Sequence, residues 1–210
     1  MTIVVISKTR TVEDLSIVFP APGTTWIMVK TVEETESHPG ADLYIDLEFV
    51  HEAGRIKALS RQLPALVLVN AVVPTLQEIS FPFVRINGWP GFLERSIHEL
   101  AVVDEEMAGR LPGIYAALGR QYHLVPDTPG MISGRILATI INEAYFTWEE
   151  EVSTREEIDI AMKLGTNYPL GPFEWGQRIG LEKIGELLTV LSRNNSRYEP
   201  ARSLLEAVKH

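Results

Sequence analysis

The chain has 210 residues, 45% hydrophobic and 22% charged, which is the composition of one large or two small folded domains and excludes disorder as the main state. Nineteen Lys+Arg against 28 Asp+Glu leave a net charge of -9, which disfavours a general nucleic-acid or membrane-surface binder because polyanions are repelled on average. The absence of cysteine excludes a disulfide framework, a zinc-thiolate site, an iron–sulfur cluster and a cysteine nucleophile.

In the first part of the chain, short apolar runs alternate with polar or helical pieces. Ile3–Ile6, Trp26–Val29, Leu43–Leu47, Leu66–Val69 and Phe83–Ile86 read as strands. Their continuous apolar character fits a mainly parallel sheet buried on both faces. Between the third and fourth runs, Glu52 to Leu63 has helical spacing at Ile56 and Leu59. Pro20-Ala21-Pro22-Gly23 reads as a turn. The most apolar run, Leu63 to Pro74, is shorter than the roughly 20 residues needed to cross a bilayer, and Asn70 interrupts it. MTIVVISKTR has four consecutive apolar residues followed by its basic ones, so no secretory signal is expected. The expected setting is cytoplasmic, with neither membrane nor nucleic acid as a partner.

After Asp127 the pattern becomes helical. A stripe with period near 3.6 runs from Met131 to Trp148, with Thr128 and Pro129 as its predicted cap and first residue. Ser153-Thr154-Arg155-Glu156 reads as a capping box opening a helix through Ile158, Ala161, Met162 and Leu164, ended by Gly165. Pro172 is expected to start a short helix. Leu181 to Leu191 marks another, closed by Asn194-Asn195, and Leu204, Leu205 and Val208 a last one. The division predicted is residues 1–125, a reduced α/β domain, and residues 126–210, an all-α domain.

The second half resembles the C-terminal domain of the NAD-dependent L-3-hydroxyacyl-CoA dehydrogenases. The resemblance is carried by Asp127-Thr128-Pro129-Gly130, Arg135-Ile136-Leu137, Asn142-Glu143-Ala144 and above all by the ordered run EIDIAMKLGTNYPLGPFE from Glu157 to Glu174. It extends weakly upstream, through Gly40–Asp46, the segment from Asn70 to Ile79, and Val84 to Glu99. The fold it implies is a reduced Rossmann-like parallel sheet followed by a helical 3-hydroxyacyl-CoA dehydrogenase C-terminal-like domain. In that family the helical domain mediates dimerisation, so the stripe from Met131 to Trp148 implies a homodimer.

The family's chemistry is hydride transfer from a secondary alcohol to NAD. A His takes the hydroxyl proton and a Glu orients the His. Here the His position matches Asn87 and the Glu position Glu99, so the orienting carboxylate remains and the base does not. Losing a positioned acid/base costs about 10² to 10⁴-fold in rate. Of the polar residues that hold substrate in the family, Asn70 and Arg135 match. The serines of its Asn-Thr-Ser-Ser stretch fall at Val72 and Val73, and the Asn of its Pro-Gly-Phe-x-x-Asn-Arg motif at Gly134. A dinucleotide fold also needs a Gly-rich turn after its first strand. Ser7-Lys8-Thr9-Arg10-Thr11 has no glycine, so no bound cofactor is expected, and no metal.

Other residues carry weaker signals. His98 could replace the base, but adjacent residues of a strand face opposite ways. His38, His51 and His123 read as surface or loop residues. Lys8, Arg10 and Lys30 are candidate contacts for coenzyme A phosphates against a default of solvated charge. Trp89 reads as packing or pocket-lining, Trp148 and Trp175 as core or interface. Glu143, Asp159 and Glu174 read as structural.

Three functions follow. The first is a 3-hydroxyacyl-CoA dehydrogenase-like protein of acyl-CoA metabolism with impaired or lost activity, binding an acyl-CoA or a partner enzyme. The second is an active NAD-dependent enzyme with a rearranged site. The third is a structural dimer without a small-molecule ligand.

Overall fold

The computed structural model describes residues 1–208, in two compact units, one spanning Met1–Met131 and the other beginning at Ile132. The first unit runs β1 (Thr2–Ile6), α1 (Val12–Val18), β2 (Thr25–Val29), a 3-10 turn (Glu33–Ser37), β3 (Leu43–Asp46), α2 (Ala53–Ser60), β4 (Leu66–Val69), α3 (Leu76–Ile79), β5 (Val84–Ile86), β6 (Ile97–Ala101), α4 (Glu105–Ala117) and β7 (Gln121–Leu124). These strands form one sheet in the order β2-β1-β3-β4-β5-β6-β7. β1 to β5 are parallel, β6 is antiparallel to β5, and β7 is parallel to β6. A complete dinucleotide fold places two strands beyond the first, in the order 3-2-1-4-5-6. Here only β2 lies beyond β1, and a 3-10 turn leads straight to β3. The Rossmann-like half is therefore reduced by its edge strand.

Alternation along each strand sorts side chains into two layers. Ile3, Val5, Leu43, Ile45, Leu66, Leu68, Val84 and Ile86 pack on the face that also carries α4. Val4, Ile6, Tyr44, Val67 and Val69 pack on the other, with α2 and α3. Burial on both faces is what their unbroken apolar runs require.

Several elements differ from the sequence reading. α1 is opened by a capping box of Thr11 and Asp14, a short polar signal inside a segment read only for its missing glycines. α4 is capped by Asp104 and contains Gly109, Pro112 and Gly113, residues that hide its helical period. Thr128 and Pro129 do not open the long helix. Gly130 and Met131 adopt positive φ, and Gly130 N–H is drawn to the Val72 carbonyl at 2.8 Å. The helix starts four residues after the expected Pro129, as α5 (Ser133–Glu149).

The second unit continues with α6 (Arg155–Thr166), α7 (Pro172–Ile179), α8 (Leu181–Ser192) and α9 (Arg202–Ala207). α5 packs against each of the others. The cap of α6 is Thr154 with Glu157, one residue on from the expected pair, and Asn167 in the left-handed region ends it rather than Gly165. The run from Glu157 to Glu174 now has a physical reason. Asp159, nearly buried on α6, accepts Phe173 N–H at 2.8 Å and Glu174 N–H at 3.2 Å, and so caps α7 from a neighbouring helix. Glu174 accepts Gly171 N–H at 2.8 Å and the Lys163 ammonium at 2.5 Å. Gly171 approaches so closely that a Cβ there would sit 2.2 Å from an Asp159 carboxylate oxygen. Asn142 holds the chain before α9 by donating to the Glu199 carbonyl and accepting Ala201 N–H, each at 2.8 Å. Trp148 carries the Arg155 guanidinium over its ring at 3.8 Å. Asp159 and Glu174 are thus structural, as read from the sequence.

Gly171→Ala is expected to cost about 2–3 kcal/mol, because the methyl evicts the Asp159 carboxylate and α7 loses its cap. The urea midpoint of the variant measures this; an unchanged midpoint would mean that the capping contact carries no stability.

Among the described residues, no helix is long and apolar enough to cross a membrane, and no three His, Asp or Glu residues are grouped to hold a metal ion.

Candidate functional site

In open parallel sheets, ligands bind at the carboxyl ends of the strands, where the order of connections reverses. In this sheet that end carries Ser7 after β1, Leu47 and Glu48 after β3, Asn70 after β4 and Asn87 after β5. The structure brings Asn70 and Asn87 to neighbouring strand ends. Asn70 is a brace: its amide donates to the Leu47 carbonyl at 3.2 Å and its oxygen accepts Gly88 N–H at 2.9 Å. Gly88 is needed there, since a Cβ would lie 2.8 Å from Asn70 Cγ. Asn87 is buried, 3% exposed, with its oxygen accepting Trp89 N–H at 3.3 Å. Its Nδ2 has no hydrogen-bond partner among the described residues.

Glu99 stands on β6, and Asn87 N–H reaches its backbone carbonyl at 3.4 Å. That continues the β5–β6 register and places Asn87 and Glu99 side by side on one face of the sheet. On β7 the register partner of Glu99 is His123, an exposed strand residue, which agrees with its reading as a surface histidine. His98 points to the opposite face, into the core beside Phe19 and Tyr115. Arg135 lies on α5 in the second unit, half-buried, its guanidinium 5.8 Å from the Tyr198 ring centre. Val72 and Val73 are buried, and Val72 contributes through its carbonyl. Trp89 is buried as well.

The turn after β1 can be tested directly against a dinucleotide pyrophosphate. Lys8 N–H is taken by Glu48 Oε1 at 3.0 Å, Thr9 and Arg10 N–H by Ser7 Oγ at 3.3 and 3.1 Å, and Thr11 N–H by Asp14 at 2.8 Å. The amides that a phosphate would need are all engaged, and a carboxylate sits among them, repelling an anion. These residues do not fit the pyrophosphate. Glu48 is held in turn by its own N–H, which donates to Asp46 at 3.0 Å. Asp46 is fully buried and gripped by Arg55 through two bonds of 2.6 and 2.5 Å. Burial pushes the Asp46 carboxyl up, and the guanidinium opposes that push. Arg10 is paired with Glu94 at 2.7 Å, and Lys8 and Lys30 are exposed.

Sequence reading did not find the Glu48 contact, which joins residues about 40 apart and leaves no local trace. It also did not single out Arg85, although an arginine inside the run Phe83-Val84-Arg85-Ile86 is itself a signal, since arginines are seldom buried unless paired. Arg85 is fully buried. It donates to the Ala71 and Val72 carbonyls at 2.7 and 2.9 Å and to Asp127 at 2.5 Å. Asp127 also accepts Leu76 N–H at 2.8 Å, at the start of α3.

His98 yields a pH prediction. Its ring nitrogens meet the Leu93 carbonyl at 2.9 Å and the Tyr115 hydroxyl at 3.4 Å. Burial chiefly, with nearby Arg120, holds its pKa below the ordinary histidine value, against the pull of the Leu93 carbonyl and Glu94. Below about pH 6.5 the unfolded chain therefore binds a proton that the folded one refuses. Stability is expected to fall as pH drops from about 6.5, and His98→Gln is expected to flatten that slope in urea titrations. Equal slopes in the two proteins would contradict it.

Residues 130–210 match the family model described as 3-hydroxyacyl-CoA dehydrogenase, C-terminal domain. Over these residues the helical unit is similar to the C-terminal domain of the 3-hydroxyacyl-CoA dehydrogenases. Among curated relatives, 3-hydroxyadipyl-CoA dehydrogenase of Escherichia coli (strain K12) is 35% identical over 130 residues, which is 50% of this chain and 27% of that protein. 3-Hydroxybutyryl-CoA dehydrogenase of Bradyrhizobium diazoefficiens is 41% identical over 96 residues, 45% of this chain and 33% of that one. The chain thus matches about a third or less of the length of these two relatives. Among solved structures, (S)-3-hydroxybutyryl-CoA dehydrogenase from Ralstonia eutropha aligns with a TM-score of 0.71 at 22% identity, covering 88% of this chain and 70% of that one. At that identity the likeness speaks for the fold, and it agrees with a Rossmann-like sheet followed by a helical 3-hydroxyacyl-CoA dehydrogenase domain.

Proposed function

We propose that this 3-hydroxyacyl-CoA dehydrogenase-like protein binds an acyl-CoA ligand, alone or together with a partner enzyme of acyl-CoA metabolism, and turns it over slowly or not at all. The observation that carries the reading is Asn87. Where the resemblance places the proton acceptor, the chain has an amide, whose oxygen accepts Trp89 N–H but takes up no proton near neutral pH and whose NH2 end can only donate. Alcohol oxidation needs a group that takes a proton. The filled amides of the turn after β1 support the same reading and argue against NAD as a resident cofactor.

Thermal-shift measurements with coenzyme A, acetyl-CoA, acetoacetyl-CoA and NADH test the binding role. A ligand at about 100 times its dissociation constant adds roughly 2.7 kcal/mol. A shift with acyl-CoA and none with NADH is expected; no shift with any of the coenzyme A compounds would contradict the proposal.

The same reading includes a homodimer. Ile132 and Ile136, one turn apart at the start of α5, are 51% and 55% exposed in the single chain, as apolar side chains that meet a second copy would be. Light scattering is expected to give twice the chain mass of 23.5 kDa; the mass of one chain would contradict it.

A further inference from the structure

Of the two edges of the sheet, β2 is the one laid bare by the reduction of the Rossmann-like half. A complete dinucleotide fold continues beyond this strand, whereas here β2 pairs with β1 alone among the described residues. Thr25 N–H donates to the Met1 carbonyl at 2.9 Å, and the Val29 carbonyl accepts Ser7 N–H at 3.0 Å, so Thr25, Ile27 and Val29 face β1. By alternation, Trp26 and Met28 turn their N–H and C=O groups outward. Proteins guard such edges with proline, lysine, a bulge or an inward-pointing charge. Thr25–Val29 has none of these, and its register with β1 is unbroken. From Pro20 to Val29 no residue is charged, in a chain that is 22% charged. Trp26, Ile27 and Met28 are half-buried, and they carry both apolar layers out to the rim.

We propose that β2 is a docking edge for a second copy of this chain, the two strands pairing antiparallel about a two-fold axis at Ile27. The axis sets Trp26 of each copy opposite Met28 of the other. Trp26 N–H then donates to the Met28 carbonyl of the second copy and Met28 N–H to its Trp26 carbonyl, so every outward group of the edge is paired. Charge selects this occupant. Two copies at -9 repel each other over most of their surface, and this uncharged stretch lets them meet. Lys30, the first charge after the strand, falls opposite Thr24, so no like charges face each other. The pairing closes on itself, because each edge covers the other. A stable interface takes about 20–30 residues a side. This one takes the five residues of β2, so it is weak and forms in concentrated protein. It lies in the first unit, and the α5 contact lies in the second.

Hydrogen exchange in dilute and in concentrated wild-type protein tests this. Concentration is expected to slow the Trp26 and Met28 amides about tenfold and to leave the Ile27 amide, already bonded to β1, unchanged. The sedimenting mass should rise above its dilute value over the same range. Met28→Pro deletes one outward N–H, spares the ladder to β1, and is expected to abolish both effects. Thr24→Lys, which sets like charges opposite each other, should weaken the association about fivefold, and Thr24→Glu should strengthen it. These two variants carry the test if the proline variant fails to fold. No concentration-dependent protection at Trp26 and Met28, equal effects of the two Thr24 variants, or a mass increase that survives Met28→Pro would overturn the proposal. Protection that appears only when a different protein is added would overturn the second copy as occupant. The dimer through α5 is read at dilution, where this pair is apart, so either contact can fail without the other.

Discussion

Asp127→Ala is expected to lower stability by about 3–5 kcal/mol, the cost of leaving one member of a buried ion pair uncompensated. Arg85 is completely shielded from solvent, and burial pulls its pKa below the ordinary arginine value while Asp127 opposes that pull. Without Asp127, the guanidinium keeps only neutral hydrogen-bond partners, the carbonyls of Ala71, Val72 and Thr128, with Glu78 as its remaining, weaker charge partner. The same substitution strips α3 of the carboxylate at Leu76 N–H and Gln77 N–H. For a chain of this size the melting temperature should fall by roughly 6–20 °C. The double variant Arg85→Met/Asp127→Leu should lose no more than the single one, because an apolar pair leaves no buried charge behind. A loss below about 1 kcal/mol in Asp127→Ala, the range of an exposed pair, would contradict the geometry.

Asn87→His is expected not to restore dehydrogenase turnover. The imidazole would stand beside Glu99, since the register of β5 and β6 puts the two residues on one face. A positioned base is worth about 10² to 10⁴-fold. It acts only when a hydride acceptor is present, and the turn after β1 presents Glu48 and no free amide to a dinucleotide. The rate with acetoacetyl-CoA and NADH should therefore stay at least about 10²-fold below the roughly 10 per second of a typical enzyme. Restoration to within tenfold of that value would show that the cofactor seat is intact.

The parallel strands were legible because a sheet buried on both faces writes itself as runs such as Ile3–Ile6 and Leu66–Val69. The short helix at Pro172 was legible because proline at a first helical position leaves a local mark. β7 was not, since Gln121-Tyr122-His123 has no apolar run, and β6 was missed because His98 and Glu99 interrupt its start, although Leu100–Val103 is an apolar run. The true start of α5 depends on Gly130 reaching Val72, and the cap of α7 on Asp159 meeting Gly171; both are long-range contacts. At the site, the family resemblance pointed to Asn70, Asn87 and Glu99, and the structure puts the three at or beside neighbouring strands. That Asn70 braces Gly88, and that Trp89 decides which end of Asn87 is left over, are matters of hydrogen-bond geometry that spacing does not encode.

On the function proposed above, a donor stands where proton removal needs an acceptor. The most direct test follows the absorbance of reduced nicotinamide with the wild-type protein, acetoacetyl-CoA and NADH, at enzyme concentrations high enough to detect a single turnover. No consumption of NADH above the rate without protein is expected. Saturable turnover approaching 10 per second, the rate of an ordinary enzyme, would contradict it.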